Sequence, residues 1–193
     1  MSHIQDQGRL ILLVGPSGSG KNTMLGELYV RREFCKPVSC TTRSPKAGEV
    51  HGQDYHFLTH EWFTAKVERG EFAEWAIVHG NFYGTLAADL QRLVDSGKDI
   101  IFDIDIQGAK QLKMKFPEAK IIFITPPSVE EILRRINSRN RGDTPDEIAT
   151  RLTTAKAEME QMGIADWIIV NDNLQAAVLE LDNFIGPQNG ALP

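Results

Sequence analysis

Gly15-Pro16-Ser17-Gly18-Ser19-Gly20-Lys21 is the stretch whose reading decides the fold. Upstream lies Arg9-Leu10-Ile11-Leu12-Leu13-Val14, an apolar, branched run of the length of a buried strand. Downstream, Asn22 to Arg32 places Leu25, Leu28 and Tyr29 on one helical face. Strand, glycine-rich turn and helix in this order form the context in which a phosphate-binding loop works. The three glycines let the backbone wrap closely around an anion, and the free amides of the first helical turn point at it. Lys21 adds a mobile positive charge for the outer phosphates. Gly15, Pro16, Ser17, Gly18, Ser19, Gly20, Lys21, Asn22 and Thr23 are therefore the expected contacts of a nucleotide's phosphate tail.

One position departs from the usual pattern. A hydroxyl residue ordinarily follows the lysine and meets Mg²⁺. Here Asn22 occupies that place, and Thr23 follows one residue later. Successive helical residues are rotated by about 100°, which turns Thr23 elsewhere. The Asn22 amide oxygen is a hard ligand, and Mg²⁺ keeps several waters, so weaker metal binding is expected rather than lost function.

The composition of the 193 residues, 41% hydrophobic and 24% charged, is that of a soluble globular protein. A net charge of −5 argues against a general nucleic-acid or membrane-surface binder, because those depend on basic excess. No apolar run approaches a membrane span, and residues 1–8 lack the features of a secretory signal; a cytoplasmic protein is expected. Cys35 and Cys40 make no recognisable metal site and are expected as small buried or half-buried thiols. His3, His51, His56, His60 and His79 show no ligand spacing. Monomer and homo-oligomer are both compatible with the chain.

Past the first helix, Ser39 to Glu49 carries hydroxyls, two bases, Pro and Gly, and reads as an exposed loop. Asp54–Leu58 and Phe72–Val78 read as strands, with a short helix over Glu61–Arg69, and His79–Gly84 as a turn and strand. Leu86, Leu90, Leu93 and Val94 fall at helical spacing before Gly97. Ile100–Asp105, Ile121–Ile124 and Trp167–Val170 read as further core strands. Ser128-Val129-Glu130-Glu131 and Thr144-Pro145-Asp146-Glu147 are capping boxes. Leu174 to Ile185 closes the chain as a helix. Strands separated by helices imply an α/β fold with a parallel sheet covered on both faces. Ligands then gather at strand C-terminal ends, where Gly15, Asp103, Asp105, Pro126 and Asn171 should converge.

Several segments, in one order over roughly residues 9 to 185, resemble the guanylate kinases. They are Gly15–Lys21; Ser39 to Arg43 with Pro45, Gly48 and Glu49; Asp54–Phe57; Phe72–Trp75; Gly80–Thr85; and Asp103–Gly108. The resemblance implies a phosphate-loop core of residues 9–38, 86–133 and 152–185, of the P-loop NTPase type. It also implies a small β-rich GMP-binding insertion at 39–85 and a mobile helical lid at 134–151, with tails at 1–8 and 186–193. The implied reaction transfers the ATP γ-phosphoryl group to GMP, with Mg²⁺ as cofactor and ATP and GMP as the small-molecule partners.

The chemistry of the residues fits such a reaction. Guanine's Watson–Crick edge presents two adjacent donors, which a carboxylate matches with two acceptors; adenine does not. Glu74 stands at the matching family position, with Asp105 toward the 2-amino group and the hydroxyls of Ser39 and Thr85 toward O6. Arg43, Tyr55 and Tyr83 are the expected grips on the GMP phosphate, together with Glu49 and Lys46. Lys46 stands where the family more often has Arg, so a point charge replaces a bidentate fork. Arg134, Arg135, Arg139, Arg141 and Arg151 crowd the lid. There, closing guanidiniums would stabilise charge on the moving phosphoryl oxygens and help exclude water. Arg135 and Arg151 are expected as catalytic residues beside Lys21, with the remaining place falling to Arg139 or Arg141. Asp103 is expected to hold Mg²⁺ through water, or to cap a turn, and Asn171 to touch the ATP base. The alternative is a guanylate-kinase-like binding module with weak catalysis, which Asn22 alone favours; a kinase of phosphorylated sugars would leave Glu74 unexplained.

Overall fold

A computed structural model describes residues 8–138 and 144–187. The chain divides into two compact units, one of Met1–Ile11 with Phe34–Ala119 and one of Leu12–Glu33 with Lys120–Pro193. The boundary falls inside the first strand, β1 (Leu10–Val14), whose five residues are all buried. β1 belongs to a four-stranded sheet of order β6-β1-β7-β8, where β6 is Ile100–Asp103, β7 Lys120–Thr125 and β8 Trp167–Val170. With helices interleaved between its strands, the fold is α/β. Among the described residues no helix is long and apolar enough to cross a membrane.

In the second unit, α1 (Lys21–Arg31) buries Met24, Leu25 and Leu28. α1 packs with α7 (Leu174–Ile185), where Arg32 pairs with Asp182. α5 (Val129–Ser138) starts on Ser128, whose hydroxyl accepts the Glu131 amide at 3.2 Å, as its capping sequence requires. The reciprocal half of that box is not made, because Glu131 is taken by Arg134 and Arg135. α5 packs on α6 (Pro145–Met159) around buried Ile132 and Ala155.

β8 corrects one expectation. It pairs in parallel with β7, Ile122 opposite Trp167 through Thr125 opposite Val170, and ends the sheet. Only Ile169 is buried, while Trp167, Ile168 and Val170 are 46%, 44% and 52% exposed. An apolar run therefore marks an edge strand here rather than a core strand.

In the first unit a second sheet has the order β3-β2-β5-β4, with β2 Cys40–Thr41, β3 His56–Phe57, β4 Phe72–Val78 and β5 Asn81–Leu86. Its apolar side forms a cluster of Cys40, Phe63 and Phe72, with Phe63 supplied by α2 (His60–Glu68) and stacked on Phe72 at 4.4 Å. The exposed loop expected from Ser39 begins later. Cys40 and Thr41 are buried strand residues, and Thr41 Oγ1 donates to the Phe82 carbonyl at 2.9 Å. Exposure starts at Ser44. α3 (Ala87–Asp95) follows β5, and α4 (Ile106–Lys115) follows β6 and packs on β4.

Candidate active site

The glycine-rich loop sits at the N-terminus of α1 in the second unit. Gly15, Gly18 and Gly20 all have positive φ, and Gly20 serves as N-cap without any side-chain cap. The first turn holds no acidic residue, so its amides and the helix dipole are left to attract an anion. Lys21 Nζ donates to the carbonyls of Gly15 at 2.5 Å and Pro16 at 3.2 Å, a cation folded over the loop it serves. Ser19 is fully buried, and its hydroxyl has no protein partner among the described residues. A buried unpaired hydroxyl inside a phosphate-binding loop is a donor waiting for a ligand. Asn22 and Thr23 are exposed on the first turn.

Asn171, expected from sequence to touch the ATP base, is tied to the glycine-rich loop. It follows β8, is 4% exposed, and donates through Nδ2 to the Ser19 carbonyl at 2.8 Å. A Cβ on Gly20 would come within 2.3 Å of that nitrogen, so this close approach and a φ of +95° both demand glycine. Arg135 Nη2 donates to the Asn171 carbonyl at 2.8 Å, and Nη1 reaches the Ser19 carbonyl at 3.5 Å. Glu131 Oε1 receives Arg135 Nε at 2.6 Å. Arg134 and Arg135 together hold the Glu131 carboxyl down to about 2. Arg135 is thus seated beside the loop, while Arg134 is exposed. Arg151 lies on α6 and is half-buried. Arg139 and Arg141 fall outside the described residues.

The first unit holds the expected base and monophosphate residues in two groups. Glu74 lies on β4 directly after a bulge between Phe72 and Glu74, opposite Thr85 on β5. Bulges re-aim side chains beside binding sites. Glu74 is 4% exposed, and burial pushes its carboxyl up from 4.5 to about 7, with Thr85 hydrogen bonds pulling it down and nearby Asp105 adding to the rise. Ser39 Oγ and the fully buried Thr85 Oγ1 lie 3.4 Å apart. Asp105 caps α4, accepting the Gln107 amide through Oδ1 at 2.7 Å, a task the sequence reading did not give it. Asp103, half-buried, ends β6.

Arg43, Glu49, Tyr55 and Tyr83 make the second group. Arg43 Nη2 donates to both Glu49 oxygens, at 2.8 and 3.0 Å, and its guanidinium lies 5.5 Å from the Tyr55 ring centre and 5.8 Å from that of Phe57. Tyr55 and Tyr83 meet edge to face at 6.0 Å. Burial raises the Tyr55 phenol to about 12, so it remains a donor at any working pH. Glu49 also accepts the Lys46 amide at 2.7 Å, which makes it the fixture that orients Arg43. The Lys46 side chain is exposed.

Sequence reading gave no role to three residues on one face of α4: Gly108, quoted only within the Asp103–Gly108 segment, and Gln111 and Lys115, all of which meet β4 around Glu74. Their spacing is helical, but nothing in the residue types announces a sheet edge as their target.

Comparison with known proteins gives a consistent result. The family model described as Guanylate kinase matches residues 7–188. The guanylate kinase of Geobacter metallireducens is 46% identical over 180 residues, covering 93% of this chain and 88% of that protein. That of Dechloromonas aromatica is 43% identical over 175 residues, 90% of this chain and 86% of the relative. The crystal structure of guanylate kinase from Anaplasma phagocytophilum superposes with a TM-score of 0.76 at 32% identity, covering 93% of this chain and 85% of the other. With the family model spanning nearly all of its length, this chain belongs to the guanylate kinase family.

Proposed function

We propose that the protein transfers the γ-phosphoryl group of ATP to GMP, giving ADP and GDP. The observation that carries this reading is Glu74, a buried carboxylate on β4 opposite Thr85 of β5 and able to accept two parallel hydrogen bonds. Family membership supports the same reaction. An oxygen of the GMP phosphate attacks the γ-phosphorus as the bond to the β-bridging oxygen breaks, so no side chain need act as nucleophile. Lys21, the α1 amides and the Ser19 hydroxyl hold the triphosphate. Arg43, Tyr55 and Tyr83 hold the GMP phosphate, with Glu49 fixing Arg43. Arg135 and Arg151 offset charge on the transferring oxygens.

The donors available to Mg²⁺ are the Asn22 amide oxygen and the Asp103 carboxylate, both hard oxygens. Two hard oxygens are a donor set that would suit an ion keeping several waters. When bound, the ion would neutralise phosphate charge.

Incubation with ATP and GMP followed by ³¹P NMR is the test. Equimolar ADP and GDP are expected; binding of both nucleotides without either product would favour the binding module that Asn22 suggested.

A pH dependence follows from Glu74. Only the ionised carboxylate accepts both guanine N–H groups, and its pKa stands at about 7. GMP affinity should therefore rise about tenfold between pH 6 and pH 8 and then level off. The GMP phosphate titrates near pH 6 as well, so guanosine, which lacks it, should show the same rise. Stability runs the other way. A carboxyl with its folded pKa raised binds its proton more tightly when folded, and stability present below about pH 4.5 is lost as pH rises through about 7. Calorimetric titration and thermal unfolding across this range check both signs.

A further inference from the structure

β4 is the edge strand of its sheet, and an edge strand presents a row of unpaired backbone groups. Along β4 that row is met by side chains of α4. Gln111 places its whole carboxamide on the backbone edge of one residue: Oε1 accepts the Trp75 amide at 3.2 Å, and Nε2 donates to the Trp75 carbonyl at 2.7 Å. In an antiparallel ladder alternate residues turn both backbone groups to the same side, and Trp75 turns its pair away from β5. Lys115, four residues on, donates to the carbonyls of Ala73 at 2.5 Å and Phe72 at 3.3 Å. Those carbonyls flank the bulge. Gly108, three residues before Gln111, lies so close that a Cβ would stand 2.4 Å from Glu74 Oε2. Positions 108, 111 and 115 share one helical face. One face thus leaves room for the Glu74 carboxylate, holds the peptide after it and holds the carbonyls before it.

We propose that Gln111 is a positioning residue for guanine selection, its carboxamide acting as a substitute strand that fixes the Trp75 peptide and through it the direction of the Glu74 carboxylate. The proposal rests on the reading of Glu74 as the guanine contact. Gln111 itself touches no nucleotide. Lys115 acts in the same brace, and Gly108 keeps it clear.

The test is a double-mutant cycle of Gln111→Met, which keeps the side-chain length but loses both bonds, with Glu74→Gln. Gln111→Met is expected to raise the KM for GMP about tenfold and leave the KM for ATP within about twofold. On the Glu74→Gln background the Gln111 effect should vanish, because there is no carboxylate left to aim. An unchanged KM for GMP in Gln111→Met overturns the proposal, as does the same factor reappearing on top of Glu74→Gln. If Glu74→Gln alone spares GMP use, the base-reading assignment fails and the brace fails with it. If only Glu74→Gln impairs GMP use, the base reading stands and the brace alone is wrong. Hydrogen exchange on the unsubstituted protein gives a readout independent of any variant's folding. The Trp75 amide should be protected as well as its strand neighbours, and fast exchange there contradicts the clamp.

Discussion

Glu74→Gln is expected to lower kcat/KM for GMP by roughly 10²–10³-fold at pH 8 while changing the KM for ATP by no more than about twofold. In the proposed reading the carboxylate accepts from N1–H and from the 2-amino group, and bonds to a charged acceptor are worth about 1.5–3 kcal/mol each. An amide of the same shape keeps one acceptor and turns an NH₂ toward a guanine donor. One guanine N–H is then buried without a partner, and two donors face each other. Folding responds in the opposite sense. Burial disfavours the Glu74 charge, so the neutral amide should raise the unfolding temperature of the ligand-free protein at pH 8. Steady-state kinetics with each substrate varied in turn, alongside thermal unfolding, checks both effects. An equal loss for ATP and GMP would remove Glu74 from base recognition.

Lys21→Met should reduce kcat by about 10³-fold with little change in the KM for GMP. Lys21 Nζ now rests on the Gly15 and Pro16 carbonyls, which are oxygens of the loop itself. Phosphate oxygens carrying full charge are better acceptors than neutral carbonyls, and the long stem lets Nζ exchange one set for the other. Removing a preorganised charge from a transferring phosphoryl group costs about 10²–10³ or more in rate. Methionine keeps the stem's packing and length, so the fold is retained. Rapid-quench single turnovers isolate the chemical step from product release, and a loss below tenfold would mean that Lys21 serves ground-state binding alone.

The phosphate loop could be read directly because its requirements are local: glycine where φ is positive, lysine where charge is needed, a strand before and a helix after. The placement of Glu74 on a strand was legible for a related reason, and its role in base selection is the proposal made above. Base selection needs a carboxylate at one place in a recognisable run, Phe72-Ala73-Glu74-Trp75. Other features depend on what lies across space. Trp167-Ile168-Ile169-Val170 has the residues of a central strand, and only sheet order makes it an edge. The place of Asn171 after a strand is visible in the sequence; its burial against the Ser19 carbonyl follows from a loop 152 residues earlier in the chain. The hydroxyl-rich run around Thr41 reads as loop because hydroxyls favour turns, yet its partner at Phe82 draws Thr41 into a two-residue strand. Gln111 gave no signal, since a glutamine on a helix is ordinary until a strand edge meets it.

The alternation of roles along α5 carries a similar lesson. Arg134 and Arg135 are adjacent and chemically equal, and both bind Glu131, yet only Arg135 reaches the carbonyls of Ser19 and Asn171. Helical phase separates them: a rotation of about 100° per residue sends one toward solvent and the other toward the loop.

Acceptor discrimination tests the central claim most directly: kcat/KM for GMP against kcat/KM for AMP, measured with ATP as donor. A pocket built to hydrogen-bond one partner rejects an analogue lacking those groups by about 10⁴-fold or more, and that preference for GMP is expected here. Comparable values for the two monophosphates would contradict the assignment of Glu74 and the guanine selectivity derived from it.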